Sequence, residues 1–196
     1  MPLTRGVICL FLIAMFATVG NTEQDQQPEP RVVIETSEGN ITVELFRSDS
    51  RVSVVNFLTY VQNGFYDGTM FHRVIRNFMI QGGGYTQELT PKTEGLRGGI
   101  LNEATNRIRN RRGTLSMARG AKANSARAQF FINLVDNRSL NHKDRSDRGF
   151  GYAVFGKVVE GMSVVDKIGG TATHSVDGLR DVPRNPIVIK TIKRLN

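Results

Sequence analysis

The sequence predicts a mainly β fold, a closed antiparallel β-barrel of eight strands capped by two α-helices. Short runs rich in β-branched and aromatic residues recur along the chain, whereas only two segments carry apolar residues at helical spacing. The chain has neither an internal repeat nor a regular alternation of strands with helices. Closing a sheet on itself removes exposed strand edges, and the helices are expected to cover the open ends. The 196 residues, of which 39% are hydrophobic and 22% charged, suit one soluble globular domain.

The first predicted elements are a hairpin and a helix. Strands at residues 31–36 and 41–46 are joined by the turn at 37–40. A helix is predicted to begin after the potential cap at Asp49 and Ser50, and its apolar spacing ends before residues 63–64, Asn-Gly. The other predicted elements are a second helix at 162–168 and strands at 71–75, 78–81, 113–118, 129–134, 153–159 and 187–193.

The N-terminus has the pattern of a secretory signal peptide. Arg5 precedes an unbroken apolar run at residues 7–17, which is shorter than the roughly 20 residues that span a bilayer. Small residues follow, and cleavage is expected near Gly20; the alternative is an uncleaved N-terminal anchor. Cys9, the one cysteine, lies inside this leader, which suits a domain that works in an oxidising compartment. The predicted organisation is a signal peptide at 1–20, a flexible Gln-, Glu- and Pro-rich linker at 21–30, and one folded domain at 31–196.

The formal net charge of +8 is concentrated in one part of the chain. Arg107, Arg109, Arg111 and Arg112 crowd a single segment, which could attract nucleic acid or an anionic lipid surface through counterion release. The segment lacks the interleaved aromatic side chains of a single-strand binding platform. Nucleic acid is therefore not expected to be the main partner, and the polyanion hypothesis predicts binding that depends steeply on salt.

Several kinds of chemistry find no support in the sequence. His72, His142 and His174 are far apart and lack the spacing of a helical metal site, so no metal or other cofactor is expected. There is no nucleophile elbow, and the exported form would have no cysteine. The glycines at 82–84 lack the Lys-Ser/Thr of a phosphate-binding loop, and a tight turn or bulge leaving a strand is the simpler interpretation.

What remains is an apolar pocket with few polar groups. The stretch FHRVIRNFMIQGGG at residues 71–84 sets a cation, Arg73, and an amide, Gln81, among large apolar side chains. Buried polar groups need partners, and a bound ligand is one possible partner. A prolyl ring fits because it is compact and apolar, and because its nitrogen carries no hydrogen to satisfy.

The stretch at 71–84 closely resembles the signature of cyclophilin-type peptidyl-prolyl isomerases. The runs RGTLSMA at 112–118, QFFIN at 129–133 and FGYAVFGKV at 150–158 resemble the later blocks of that family, in the same order. The resemblance covers residues 31–196 and implies the cyclophilin fold and catalysis of rotation about X–Pro bonds, without a cofactor. The implied partners are proline-containing segments of unfolded or partly folded proteins, bound by a monomer.

The resemblance also implies roles for single residues. Arg73 is the expected catalytic cation. Gln81 and Gln129 are expected to contact the substrate backbone, and Phe78 and Phe131 are expected to form walls of the proline pocket. With Arg73, the expected catalytic set is Phe78, Gln81 and Phe131. The expected substrate contacts are His72, Met79, Ala118, Arg119, Gln129, Leu140 and Tyr152.

The chain departs from the family's pattern at three positions. Ser139 stands where members often have Trp or Phe before Leu140, and a Trp there is associated with tight cyclosporin binding, so at most weak binding of this inhibitor is expected. Arg119 replaces the Asn of many members, which leaves the peptide-backbone contact at this position open. Tyr152 replaces the His of many eukaryotic members and looks like the bacterial variant, although a tyrosine there could simply pack over the rim.

The leading hypothesis is an exported isomerase, placed in a bacterial periplasm, that assists the folding of other exported proteins. A eukaryotic secretory lumen and an N-terminal membrane anchor remain alternatives for its location. The competing function is a binding module of the same fold that grips proline-containing segments without useful turnover. The residue set of Arg73, Phe78, Gln81 and Phe131 favours the enzyme, and an Arg73→Ala variant separates the two hypotheses.

Overall fold

A computed structural model of the protein describes residues 28–195. The predicted leader at 1–20 and most of the predicted linker lie outside this range. Within it, the chain forms ten strands, two α-helices and two short 3-10 turns, at Ala104–Asn106 and Arg138–Leu140. The α-helices are α1 (Arg51–Gln62) and α2 (Met162–Gly169). The strands are β1 (Arg31–Thr36), β2 (Gly39–Leu45), β3 (Thr69–Ile75), β4 (Met79–Thr86), β5 (Thr114–Met117), β6 (Phe130–Asn133), β7 (Val154–Glu160), β8 (Thr173–Val176), β9 (Leu179–Pro183) and β10 (Ile189–Leu195).

Eight of these strands form one antiparallel sheet in the order β10-β1-β2-β7-β5-β6-β4-β3. This confirms the predicted mainly β fold with eight antiparallel strands and two helices. The two edges of the sheet meet at an isolated bridge between Met70 and Val188, where the Phe71 amide also donates to the Ile187 carbonyl at 2.9 Å. The sheet is therefore a strongly curled half-barrel whose edges touch, rather than a barrel closed by a continuous ladder.

The strands β8 and β9 form a separate hairpin that the sequence analysis missed. Val176 pairs with Leu179, so the loop between them is Asp177-Gly178, and both loop residues have positive φ (49° and 80°). Asp-Gly favours this two-residue turn, so the signal was present in the sequence. The strand β9 contacts β3, which is the last strand of the large sheet.

The sequence left a tight turn and a bulge open for the glycines at 82–84, and the structure shows the bulge. These residues lie inside β4, where the pairings Thr69–Thr86 and Phe71–Gly82 leave Gly83, Gly84 and Tyr85 opposite Met70 alone. A Cβ atom on Gly83 would lie 2.8 Å from the ring of Tyr66, and one on Gly82 would lie 2.9 Å from the ring of Phe71. The glycines therefore make room for buried aromatic rings. The pairings Phe71–Gly82 and Arg73–Gln81 leave one extra residue in β3, which makes a second bulge in the same ladder.

Helix α1 packs aromatic side chains into the open end of the half-barrel. Phe57 lies edge-on to Phe130, with ring centroids 5.5 Å apart, and tilts against Phe155 at 5.2 Å. The Ser50 hydroxyl, expected to cap the helix, donates instead to the Val154 carbonyl at 2.7 Å. The cap comes from Glu103, whose carboxylate accepts from the Val52 and Ser53 amides at 2.9 and 2.8 Å. A distant loop thus anchors the start of this helix, which sequence spacing could not reveal.

Candidate active site

Three adjacent strands bring the main predicted residues together. Arg73 on β3 pairs with Gln81 on β4, and Gln81 pairs in turn with Phe131 on β6. Cross-strand partners in an antiparallel ladder present their side chains on the same face. A cation, an amide and an aromatic ring consequently stand in one row across the sheet.

A chain of polar contacts runs along this row. The Arg73 Nη1 atom donates to Gln81 Oε1 at 3.4 Å, and Gln81 Nε2 donates to Gln129 Oε1 at 2.8 Å. At the other end, Arg73 Nε lies 3.6 Å from a carboxylate oxygen of Asp181. The Arg73 side chain is 42% exposed, so its guanidinium remains open to a ligand. No sequence argument had pointed to Asp181.

The apolar residues expected to hold a prolyl ring occupy neighbouring positions. Met79, at the start of β4, and Phe131, in the middle of the β4–β6 pairing, are almost fully buried. Phe78 and Leu140 are partly exposed. The carbonyl of Phe78 accepts from the Leu134 amide at 2.9 Å and from Asn137 Nδ2 at 2.8 Å. These bonds tie the β3–β4 turn to the segment after β6.

The rim of the site is formed by Tyr152 and Arg119. The Tyr152 ring lies edge-on to Phe131, with centroids 5.7 Å apart, and the Arg119 Cζ atom lies 4.9 Å from the Tyr152 centroid. The Arg119 guanidinium donates to the carbonyls of Gly151 at 2.9 Å and Asp147 at 2.8 Å. Arg119 therefore joins two loops at the rim, and its predicted contact with substrate stays a prediction.

His72 is buried rather than displayed at the surface. Its ring stacks at 4.5 Å on Tyr85, and its Nδ1 atom has no hydrogen-bond partner among residues 28–195. Burial disfavours the imidazolium and lowers the pKa of His72 to about 4, against the opposing effect of the Met70 carbonyl. His72 is thus a neutral residue behind the row of polar side chains, and its predicted role as a substrate contact stays a prediction.

A cavity of about 310 Å³ adjoins the polar row. The predicted residues Gln81, Ala118, Arg119 and Gln129 form part of its lining, which places these expected substrate contacts along one groove. The remaining wall comes from the end of β4 and from two loop segments, at 91–96 and 120–128, that sequence reasoning had left without a role. The lining residues that were missed are Gly84, Tyr85, Pro91, Lys92, Thr93, Leu96, Gly120, Ser125, Arg127 and Ala128.

Two further kinds of site were sought in the part of the chain that the structure describes. Across residues 28–195, His, Cys, Asp and Glu side chains nowhere form a group of three or more that could hold a metal ion. None of the helices described is long and apolar enough to cross a membrane.

The comparisons with known proteins identify the family and the fold. Residues 31–194 match the family described as cyclophilin type peptidyl-prolyl cis-trans isomerase/CLD. The chain is 50% identical to peptidyl-prolyl cis-trans isomerase cyp18 of Streptomyces antibioticus (84% of this chain, 98% of the relative) and 50% identical to peptidyl-prolyl cis-trans isomerase A of Dickeya dadantii (83% of each). A solved cyclophilin-type isomerase of Cryptosporidium parvum, crystallised in the presence of the dipeptide Ala-Pro, superposes with a TM-score of 0.70 at 29% identity. The alignment covers 85% of this chain and 99% of that one.

Proposed function

The chain belongs to the cyclophilin-type peptidyl-prolyl cis-trans isomerases, and from this premise we propose that it accelerates rotation about X–Pro bonds in exported proteins, with Arg73 as the group that stabilises the twisted imide. The observation that carries the proposal is the row formed by Arg73, Gln81 and Phe131 on one face of three paired strands. A cation thus stands beside a wall suited to a prolyl ring.

The reaction needs neither a nucleophile nor a proton transfer. Resonance gives the C–N bond partial double-bond character, so rotation is slow, and a catalyst must bind the twisted amide better than either planar form. In the twisted state the prolyl nitrogen regains its lone pair and can accept a hydrogen bond. Arg73 can donate that bond because its guanidinium is permanently charged and more than a third exposed.

One hydrogen bond does not account for the whole acceleration. Lowering an uncatalysed time of tens of seconds to milliseconds takes a factor of roughly 10⁴, or about 5.5 kcal/mol. A charge-assisted hydrogen bond contributes about 1.5–3 kcal/mol. Burial of the prolyl ring against Phe131 and Met79, and backbone contacts from Gln81 and Gln129, are proposed to supply the rest by positioning the substrate in a partly dehydrated groove.

We propose proline-containing segments of unfolded or partly folded proteins as the substrates. The Cryptosporidium parvum relative was solved in the presence of the dipeptide Ala-Pro, which supports a proline-containing peptide as the ligand. We further propose that the protein acts as a monomer, assists folding as a chaperone does, and binds cyclosporin weakly.

A peptide isomerisation assay tests the catalytic role of Arg73. On an X–Pro peptide, we expect Arg73→Ala to lower kcat/KM by about 100-fold or more, because it removes both the donor and its charge. Arg76→Ala is the matched control: Arg76 is an exposed arginine three residues away that donates to the Gly170 carbonyl. It should keep activity within twofold. An Arg73→Ala enzyme with full activity would remove Arg73 from the mechanism.

The competing function, a binding module of the same fold, makes a different prediction. If the protein only grips proline-containing segments, Phe131→Ala abolishes peptide binding while the wild type shows no useful turnover. The enzyme hypothesis predicts turnover in the wild type and loss of both properties in Phe131→Ala. Measuring peptide affinity and isomerisation rate on the same samples distinguishes the two.

The location is proposed from the sequence of the first 20 residues, and the periplasm is the compartment we favour. Fractionation of cells that express the full chain should recover a form shortened near Gly20 in the periplasmic fraction. Intact-mass measurement of that form locates the cleavage. Recovery of an uncut chain in the membrane fraction would favour the N-terminal anchor, and processing in a eukaryotic secretory lumen remains the other alternative.

A further inference from the structure

Asp181 lies at an irregular point of the backbone. Its φ is +62°, in the left-handed region, and it lies in a strand rather than in a turn. The pairings His174–Val182 and Val176–Leu179 leave Arg180 and Asp181 opposite a single residue of β8, which makes this position a bulge. Bulges next to functional sites redirect side chains.

The redirected side chain reaches the proposed catalytic cation. The Asp181 carboxylate lies 3.6 Å from Arg73 Nε, and no other acidic residue among those described forms an ion pair with Arg73. The two side chains are 39% and 42% exposed, so solvent screens their attraction. The left-handed conformation accounts for Asp, Asn or Gly at this position, but it does not by itself require a carboxylate. A screened ion pair adds little stability, so fold stability does not explain why the residue is charged.

Asp181 and Gln81 hold the guanidinium of Arg73 from two sides. Gln81 Oε1 accepts from Nη1 at 3.4 Å, while the carboxylate of Asp181 attracts Nε. Nη2 has no hydrogen-bond or ion-pair partner within residues 28–195. A guanidinium is planar, so fixing the positions of two of its nitrogen atoms also fixes the position of the third. The nitrogen left without a partner is then presented in one orientation.

We propose that Asp181 is a positioning residue for catalysis: it orients Arg73 so that a guanidinium N–H is available to the twisted prolyl imide. This inference rests on the proposed role of Arg73 in isomerisation. Asp181 does not itself touch the substrate in this scheme. It acts by reducing the number of orientations that the guanidinium samples before the transition state is reached.

Two substitutions test the proposal without disturbing the backbone. Asp181→Asn removes the charge and Asp181→Gly removes the side chain, and both Asn and Gly tolerate positive φ. We expect kcat to fall by about threefold in the first and about tenfold in the second, with KM unchanged, because ground-state binding does not involve Asp181. Asp177→Asn is the control, since Asp177 also has positive φ (49°), in the turn of the same hairpin. It should keep wild-type rates.

A double-mutant cycle separates positioning from a general effect on the fold. In the Arg73→Ala background, Asp181→Gly should change the residual rate by less than about twofold, because its effect passes through the missing guanidinium. The same fractional loss in both backgrounds would overturn the proposal, as would an unchanged or increased kcat in Asp181→Gly. Full activity of Arg73→Ala itself would refute the proposed role of Arg73 in catalysis, whereas an impaired Arg73→Ala with a fully active Asp181→Gly would refute only the positioning role.

Discussion

The guanidinium of Arg119 lies over the ring of Tyr152, with its Cζ atom 4.9 Å from the ring centroid. The same group donates to the carbonyls of Gly151 and Asp147, at 2.9 and 2.8 Å. A residue that the family resemblance had placed among the substrate contacts thus connects the two loops that carry the rim. Tyr152 in turn meets Phe131 edge-on, so the connection extends to the wall of the site.

Arg119→Ala is expected to destabilise the protein by about 1–2 kcal/mol, because the partly exposed carbonyls lose charge-assisted hydrogen bonds and the Tyr152 ring loses its cation. Urea-induced unfolding measures this change. Lys122→Ala is the control, since Lys122 is 84% exposed and forms only a surface ion pair with Asp147. It should change the free energy of unfolding by less than about 1 kcal/mol. Equal losses in the two variants would contradict the role assigned to Arg119.

The buried His72 should make the protein less stable in mild acid. Its pKa is about 4 in the folded state, against an ordinary value of 6.5, so below pH 6.5 the unfolded chain takes up a proton that the folded protein does not. The free energy of unfolding should therefore fall by about 2 kcal/mol between pH 7 and pH 5, and further toward pH 4.

His72→Gln should remove that part of the pH dependence, as urea unfolding of both proteins at pH 7 and pH 5 would show. The pH dependence of the free energy of unfolding must be compared between wild type and variant, because other groups also titrate. Arg31 lowers the pKa of Glu44, and Arg112 lowers the pKa of Asp166. Both carboxylates lose stabilising charge as the pH falls. Those contributions are common to wild type and variant. Identical slopes in the two proteins would show that His72 titrates normally.

Gly83→Ala is expected to cost about 2–4 kcal/mol of folding free energy. The position has φ of +79°, and the added Cβ atom would lie 2.8 Å from the Tyr66 ring and 3.1 Å from that of Phe130. Gly178→Ala separates the two causes, because its φ is +80° but nothing lies within 4 Å of the added atom. Gly178→Ala should lower the folding stability by about 1 kcal/mol, because only the cost of a Cβ atom at positive φ applies there. Thermal and urea unfolding of both variants provide the measurement.

Cyclosporin should inhibit the enzyme only weakly, because Ser139 offers no aromatic surface at the position where many family members have Trp. Ser139 is exposed in the 3-10 turn Arg138–Leu140, beside Leu140. A Ser139→Trp variant should therefore bind the inhibitor at least about tenfold more tightly without losing isomerase activity. Inhibition titrations of both proteins measure the effect. A nanomolar inhibition constant for the wild type would contradict this prediction.

The sequence predicted the fold class, the family and most element positions, because these follow from local patterning and from four motifs that stand in order along the chain. It missed contacts that depend on the packing of distant segments. The Glu103 cap on α1 and the Asp181 contact with Arg73 each join residues about 50 or more positions apart, and neither has a signature at that spacing. The β8–β9 hairpin is a different case, because its Asp177-Gly178 turn was readable and was overlooked.

The sequence could not decide between a turn and a bulge at the triple glycine. Glycine signals a turn when it supplies positive φ, and Gly83 does have positive φ, but within a strand. What the sequence could not convey is that Tyr66, Phe71 and Phe130 approach the backbone there and exclude side chains. The closed barrel was overstated for a related reason: strand count alone does not fix how many hydrogen bonds join the two edges.

The position of the β8–β9 hairpin beside β3 has a consequence for solubility. The strand β3 ends the ladder, and a terminal strand presents unpaired N–H and C=O groups that can recruit a strand from another molecule. The strand β9 contacts β3, and we expect the hairpin to obstruct such intermolecular pairing. The strand that carries Arg73 is then protected from recruiting a strand of another molecule.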